Sequence, residues 1–153
     1  MPHIPVCPGG PLSDQLQQEI TDAAAAIVDA FRSNDEERYF SGFAPECSFA
    51  FHTDREVLLG RDAWRSAWRE LHESGWRVVD CHSLTTHVQP IGRDGGVFLH
   101  ELETTAEQDG RCETYRERET IVFERRDGRL SAVHEHLSPV PAEAEATNEE
   151  AVR

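Results

Sequence analysis

The stretch that decides the fold, residues 112–139, reads CETYRERETIVFERRDGRLSAVHEHLSP. Two runs in it, each with the residue alternation of a strand, meet at Asp127-Gly128. An Asp-Gly pair between such runs is a strong hairpin signal, because both central residues of a type I′ turn need positive φ. A second pair, Asp109-Gly110, joins residues 97–106 to the first of these runs. The chain is therefore predicted to fold three consecutive strands into two hairpins.

Two-residue turns would also set the strand register. Counting outward from the second pair places Glu101 opposite Arg118 and Glu103 opposite Arg116. Opposite charges directly across strands favour this register by ~0.2–1 kcal/mol a pair. A one-residue slip would turn every side chain to the other face, and a three-residue loop would cause such a slip.

The opposite face of the three strands is apolar near one end and polar near the other. At the polar end the count places Glu119 between His100 and His136 in one row, with His134 on the same face. Imidazole passes protons near neutral pH, and a buried carboxylate between two imidazoles stays ionised. These four residues are the candidate catalytic group. The alternative is that such a row has no catalytic role and only satisfies polar groups at the open end of a sheet.

The end of this stretch resembles a known family. RLSAVHEHLSP, after RETIVFERRDG, resembles the closing hairpin of SnoaL-like proteins, in the ketosteroid isomerase and nuclear transport factor 2 superfamily. That family's last strand commonly reads Trp-x-Ile-x-His-x-His-x-Ser. Here His134, His136 and Ser138 fit, whereas Leu130 and Ala132 replace Trp and Ile. SNDEERYFSGFAPECSF resembles the family's second helix and first strand, and LLGRDAWRSAW its third helix.

The resemblance implies an α+β fold over residues 13–140, a cone-like curved antiparallel sheet wrapped around helices. It implies a homodimer that pairs through the outer sheet face. It also implies a cavity for a small apolar carbonyl compound, with cofactor-independent acid–base catalysis of an isomerase, dehydratase or cyclase type. The alternative is a non-catalytic ligand-binding, dimerisation or assembly domain, because the superfamily contains both.

Six further side chains are candidates for contact with a bound molecule. The helix pattern puts Trp64 and Trp68 on an apolar stripe, for which core packing is the simpler interpretation. His52, with Asp54, falls in a polar turn that a solvated surface would explain equally well. The full set of predicted substrate-binding residues is Tyr115, Glu117, Trp64, Trp68, Phe40 and His52.

A metal site is the other chemistry that this pattern suggests. Two histidines and a carboxylate are the ligand types of a facial iron or zinc site. A flat row is poor coordination geometry, and the family resembled here generally works without metal. No metal and no cofactor are therefore predicted.

Composition excludes several functional classes. The 153 residues suit one domain, and the formal net charge of −14 argues against a nucleic-acid partner. All 15 basic residues are arginine, so Schiff-base chemistry on lysine is excluded. No apolar run is long enough to span a membrane, and the first residues do not read as a signal peptide. Four cysteines without CxxC spacing read as reduced thiols, which predicts a cytoplasmic protein.

Local patterns predict the remaining elements. Residues 1–12 read as a flexible arm and 141–153 as a disordered acidic tail. Apolar periodicity predicts helices over 14–32 and 61–75, with a short helix capped by Asn34 and Glu37 between them. A long strand over 77–91 carries His82 and His87, and their odd spacing predicts that they face opposite sides.

Overall fold

A computed structural model describes residues 11–142, with side chains from residue 14 onward. It contains three helices and six strands. In chain order they are α1 (Pro11–Arg32), α2 (Glu36–Phe40), β1 (Phe43–Phe51), β2 (Leu58–Leu59), α3 (Arg61–Glu73), β3 (Arg77–Ile91), β4 (Gly95–Gln108), β5 (Arg111–Arg126) and β6 (Arg129–Pro139). Among these residues, no helix is both long and apolar enough to cross a membrane.

Helix α1 follows its predicted apolar stripe, which buries Leu16, Ile20, Ala24 and Ile27. The helix as a whole packs most extensively on β3, and the stripe joins a core that includes Phe98, Ile121 and Phe123 of the inner sheet face. The helix begins at Pro11, so the last two residues assigned to the arm belong to it. The rest of the arm, and the tail from residue 143, lie outside the described residues.

The start of α2 differs from the prediction. Asp35, not Asn34, is the N-cap, and its carboxylate accepts a hydrogen bond from the Arg38 backbone N–H at 3.2 Å. Asn34 has a φ of 56°, which asparagine tolerates better than most residues. Its side-chain amide donates to the Val78 carbonyl and accepts from the Val78 N–H, each at 2.9 Å. The α1–α2 loop is thereby tied to β3.

The six strands form one curved sheet in the order β2-β1-β6-β5-β4-β3. The α+β class is confirmed, but the sheet is mixed, because β1 runs parallel to β6. Both predicted turns are present, with positive φ at Asp109 and Asp127. The β4–β5 register is also confirmed: Glu101 pairs with Arg118 and Glu103 with Arg116.

The predicted β5–β6 register is wrong beyond the first few pairs. Phe123 pairs with Ala132, but Val122 pairs with His134, so Val133 is an extra residue in a β-bulge. The bulge shifts the rest of β6 by one position. Glu119 therefore lies opposite Leu137, and His136 lies opposite Thr120 on the outer face.

Two further bulges interrupt β3, the strand at one free edge of the sheet. The extra residues are Val79 and Leu84. The second bulge lies between His82 and His87, so both pair with outer-face positions of β4 and both are exposed. The prediction that they face opposite sides is wrong, because it assumed a regular strand.

The interior of the cone is filled by helix side chains and the inner sheet face. Trp68 of α3 is 2% exposed, and its ring stacks on Tyr39 of α2 with centroids 4.9 Å apart. Phe40 meets the same indole edge-on at 5.7 Å. These aromatic rings lie between the helices and the polar part of the inner face, which positions the site described next.

Candidate functional site

A buried hydrogen-bonded network occupies the inner face of β3 to β5. His100 lies opposite Glu119, as predicted, and its Nε2 is 2.8 Å from Glu119 Oε1. Its Nδ1 is 2.8 Å from Ser83 Oγ. Because a carboxylate only accepts, the His100 Nε2–H donates to Glu119, which leaves Nδ1 to pair with the Ser83 hydroxyl group.

Glu135 completes this group from β6. The bulge turns it inward, where it is 4% exposed and hydrogen-bonded to Glu119. Burial, then the Glu119 charge, holds the pKa of Glu135 well above its usual range. Burial also acts to raise the pKa of Glu119, but hydrogen bonds from His100 and Glu135 lower it overall. Of the two carboxyl groups, Glu135 therefore keeps its proton to the higher pH. We call Ser83, His100, Glu119 and Glu135 the inner network.

Aromatic side chains close the inner network from the helix side. Tyr39 is 3% exposed, and its hydroxyl accepts from Trp64 Nε1–H at 3.2 Å. Burial is the main reason that the pKa of Tyr39 lies well above its usual range. Glu135 Oε2 is buried and has no hydrogen-bond partner among the described residues. A buried oxygen without a hydrogen-bond partner costs free energy, so Glu135 Oε2 is an unusual atom within the core.

A histidine–glutamate pair lies beside the inner network, where the cone meets solvent. Glu117 is 6% exposed and bonds through Oε2 to Nε2 of His52, whose side chain is 31% exposed. Burial raises the pKa of Glu117, and the contact with His52 partly offsets that rise. We call His52 and Glu117 the mouth pair. It places a half-exposed imidazole on a buried carboxyl group.

Two surface depressions bear on the position of the site. One, of about 230 Å³, adjoins the mouth pair and is lined by His52, Phe51, Leu137 and His136 among others. The other, of about 520 Å³, lies between α1 and the β5–β6 turn, away from both groups. Neither is lined by His100, Glu119 or Glu135. The mouth pair is thus the part of the site that adjoins a depression.

The structure does not bring the predicted catalytic residues together. His134 and His136 lie on the outer face, and His134 Nδ1 is 2.7 Å from Ser48 Oγ. Only His100 and Glu119 of the four share the inner face. The two-histidine metal alternative required His136 in the row, so its ligand set is not assembled. Among residues 11–142, no group of three or more His, Cys, Asp or Glu side chains could hold a metal ion.

The predicted substrate-binding residues divide into two groups. Trp68 and Phe40 are buried core residues, and Trp64 is half-buried against them. Tyr115 lies on the inner face opposite Thr104, one position beyond Glu117, and burial raises its pKa to about 12. The mouth thus combines His52, Glu117 and Tyr115, while the tryptophans and Phe40 fill the cone.

Sequence reasoning missed Ser83, Tyr39 and Glu135. A signal for Glu135 was present in β6, where the apolar positions change from even to odd numbers between Ala132 and Leu137. Such a change within one strand indicates a bulge. Nothing comparable pointed to Tyr39, which reads as an ordinary core aromatic.

The fold and inner face define a class of small α+β cones. A family model described as a SnoaL-like domain matches residues 20–143, and the chain belongs to the SnoaL-like family. A ketosteroid isomerase-like protein from Erwinia carotovora atroseptica superposes with a TM-score of 0.75 at 15% identity, covering 83% of this chain and 98% of that one.

Two further solved structures share the fold. An uncharacterised protein with a cystatin-like fold from Caulobacter vibrioides gives a TM-score of 0.69 at 21% identity, covering 89% of this chain and 96% of that one. An NTF2-like protein of unknown function in nutrient uptake from Rhodospirillum rubrum gives 0.69 at 20% identity, covering 79% and 98%. At these identities the likeness concerns the fold.

The buried proton of Glu135 predicts an unusual pH dependence of stability. Its pKa is raised on folding, so the folded state holds this proton more tightly than the unfolded chain. The resulting stabilisation is complete below the ordinary carboxyl pKa of 4.5 and is lost as pH rises towards the folded pKa. Urea unfolding at a series of pH values should show this loss in the wild type and not in Glu135→Gln. Parallel profiles would contradict a protonated Glu135.

Proposed function

We propose that this protein binds a small apolar carbonyl compound at the mouth of the cone and catalyses proton transfer on it without a metal or other cofactor. The reaction class is isomerisation, dehydration or cyclisation. The cytoplasmic location and the absence of nucleic-acid and membrane partners stay predictions from composition.

One observation carries this proposal: three carboxyl groups, Glu117, Glu119 and Glu135, are buried on one inner face. Burying ionisable groups costs free energy, and apolar residues would pack the same sheet more cheaply. Strongly perturbed carboxyl groups beside a depression are typical of acid–base sites. Here the pKa values of Glu119 and Glu135 move in opposite directions, so one carboxyl group is a base and its neighbour an acid.

The geometry suggests a division of roles. His52 is the exposed group that a bound molecule reaches first, and Glu117 orients its imidazole. The inner network lies one position deeper on β5 and supplies the stored proton. Phe51 and Leu137 give the adjoining depression an apolar wall for the body of the molecule.

Exchange of α-protons tests this directly. Small cyclic and unsaturated ketones in deuterium oxide should incorporate deuterium next to the carbonyl group faster with the protein than without it. Glu117→Gln should lower that rate by about 10²–10⁴-fold, the contribution of a positioned acid–base group. Glu70→Gln makes the same chemical change at an exposed position of α3 and should leave the rate unaltered. No acceleration by the wild type with any ketone would count against catalysis.

The second candidate is a non-catalytic ligand-binding or assembly domain. The specific observation in its favour is that Tyr39, Phe40 and Trp68 are buried against one another and close the inner network. Ligand-induced increases in melting temperature, without any α-proton exchange, would support this candidate over the first.

We also propose that the protein is a homodimer that pairs through the outer sheet face. The ion pairs Glu101–Arg118 and Glu103–Arg116 lie on this face with N···O distances of 3.1 and 2.9 Å. Thr120 lies near the middle of the face and is only half-buried. A self-complementary face of this kind suits a two-fold axis.

Light scattering at micromolar concentration should give twice the chain mass. Thr120→Arg, which puts a charge at the centre of the face, should give a monomer. Thr114→Arg, at the exposed far end of the same strand, should remain a dimer. A monomer mass for the wild type would refute the proposal.

A further inference from the structure

A hydrogen bond joins the buried inner network to an exposed strand position away from the mouth pair. His100 is buried, with a side-chain exposure of 0%. Ser83, hydrogen-bonded to its Nδ1 at 2.8 Å, belongs to an exposed position of the edge strand β3. Ser83 therefore links the buried ring to an exposed position of the sheet edge.

This contact exists because of a β-bulge. Ser83 lies opposite Leu102 on the inner face, and Thr85 lies opposite Glu101 on the outer face. Leu84 is the extra residue between them, which is what allows neighbouring odd-numbered positions to face opposite sides. The bulge places a hydroxyl group at the open side of the inner network.

We propose that Ser83 is a positioning residue through which His100, and with it the Glu119–Glu135 pair, exchanges protons with solvent at the β3 edge. Such a path would restore the proton that the proposed reaction takes from the inner network, and to that extent it rests on the proposed function. Proton movement along the path does not need a substrate and can be measured without one.

A proton moves along this path in two steps. A hydronium ion gives a proton to Ser83 Oγ while the Ser83 hydroxyl proton passes to His100 Nδ1, and water remains at the surface. The Nε2 proton then passes to Glu119 Oε1, 2.8 Å away, and the imidazole is neutral again with its proton on Nδ1. The reverse sequence returns the proton to solvent.

Other titratable groups lie near the carboxyl pair, on four different elements of the fold. None of them is hydrogen-bonded to His100, whose two ring nitrogens are occupied by Ser83 and Glu119. These surrounding groups are Tyr39 of α2, Cys47 of β1, Cys81 of β3 and Glu117 of β5. Of the two ring partners of His100, Ser83 is the one at an exposed position.

Proton exchange at His100 can be followed by NMR of the labelled imidazole during a pH titration. In the wild type, rapid exchange through Ser83 should give one averaged ring signal at the midpoint. Ser83→Val removes the hydroxyl group and shields Nδ1 from water. Exchange should then slow on the order of 10²-fold, the effect of losing a positioned proton-transfer group, and separate signals should appear.

Matched variants separate the hydroxyl group from strand packing. Thr86→Val makes the corresponding change on the same strand and inner face, directly opposite His100, and should leave one averaged signal. Ser83→Thr restores a hydroxyl group and should restore rapid exchange. If Ser83→Val does not fold, Ser83→Cys provides the test, because a thiol is a weak hydrogen-bonding group and should also slow exchange.

An averaged signal in folded Ser83→Val or Ser83→Cys would overturn the inference, as would equal slowing by Thr86→Val. Separate signals confined to variants without the Ser83 hydroxyl group would support it. The outcome is independent of the ketone experiment. Slow exchange in Ser83→Val alongside an inactive wild type would leave the path intact and refute only the proposed function.

Discussion

Glu119→Gln should change the tautomer of His100, whereas Glu135→Gln should not. Glu119 accepts hydrogen bonds from two sides, from His100 Nε2–H and from Glu135. A glutamine has one oxygen, which the acidic Glu135 O–H would take, and its NH₂ group would then face His100 Nε2. The ring can accept that N–H only by moving its own proton to Nδ1. Nitrogen NMR of the imidazole reports the two tautomers directly.

The matched change, Glu135→Gln, leaves this arrangement in place. The introduced amide NH₂ donates to the Glu119 carboxylate as the protonated acid does, and His100 keeps its proton on Nε2. Only Glu119→Gln removes the buried negative charge, so the pKa of Glu135 should fall in that variant. The α-proton exchange proposed above should fall by about 10²–10⁴-fold. The same tautomer in both variants would mean that Glu119 and Glu135 do not share a proton.

Trp68→Ala should lower the free energy of unfolding by about 3–5 kcal/mol, the cost of truncating a fully buried tryptophan. Trp68 is 2% exposed and stacks on Tyr39 and on His72, with ring centroids 4.9 and 4.3 Å away. Removing the indole leaves a cavity that these rings cannot fill without moving. Urea unfolding of the two proteins at one pH measures the difference.

Leu59→Ala provides the control, because Leu59 is 78% exposed and its truncation should change stability by less than about 0.5 kcal/mol. A loss below about 1.5 kcal/mol for Trp68→Ala would mean that the core relaxes around the missing ring. Trp68 would then be a wall of an adaptable cavity rather than a packed core residue, and the ligand-contact role predicted for it would regain support.

Much of the fold could be predicted because its signals are local. Asp109-Gly110 fixed the β4–β5 register from turn geometry alone, and the pairing of Glu101 with Arg118 agreed with it. The placement of Glu119 beside His100 followed by counting. The resemblance to SnoaL-like proteins rested on the closing hairpin, on the second helix with the first strand, and on the third helix.

The rest depended on sheet curvature, which local signals do not carry. A sheet that wraps around helices needs extra residues in its strands, and their positions depend on packing across the whole cone. Val133 moved His134 and His136 outward and Glu135 inward, and Leu84 turned Ser83 towards His100. The strand register, and with it the face on which each candidate residue lies, was therefore predicted correctly where the strands are regular and incorrectly beyond each bulge.

The bulges in β3 also bear on how copies of this protein coexist at high concentration. A free edge of 15 residues would offer an uninterrupted row of backbone groups to the edge of another molecule. Val79 and Leu84 break that row, so an added strand could form regular backbone hydrogen bonds with only a short segment of β3. Ordered aggregates grow by adding one matched strand after another. The insertions that shape the inner face thus also keep the sheet from becoming a template for such growth.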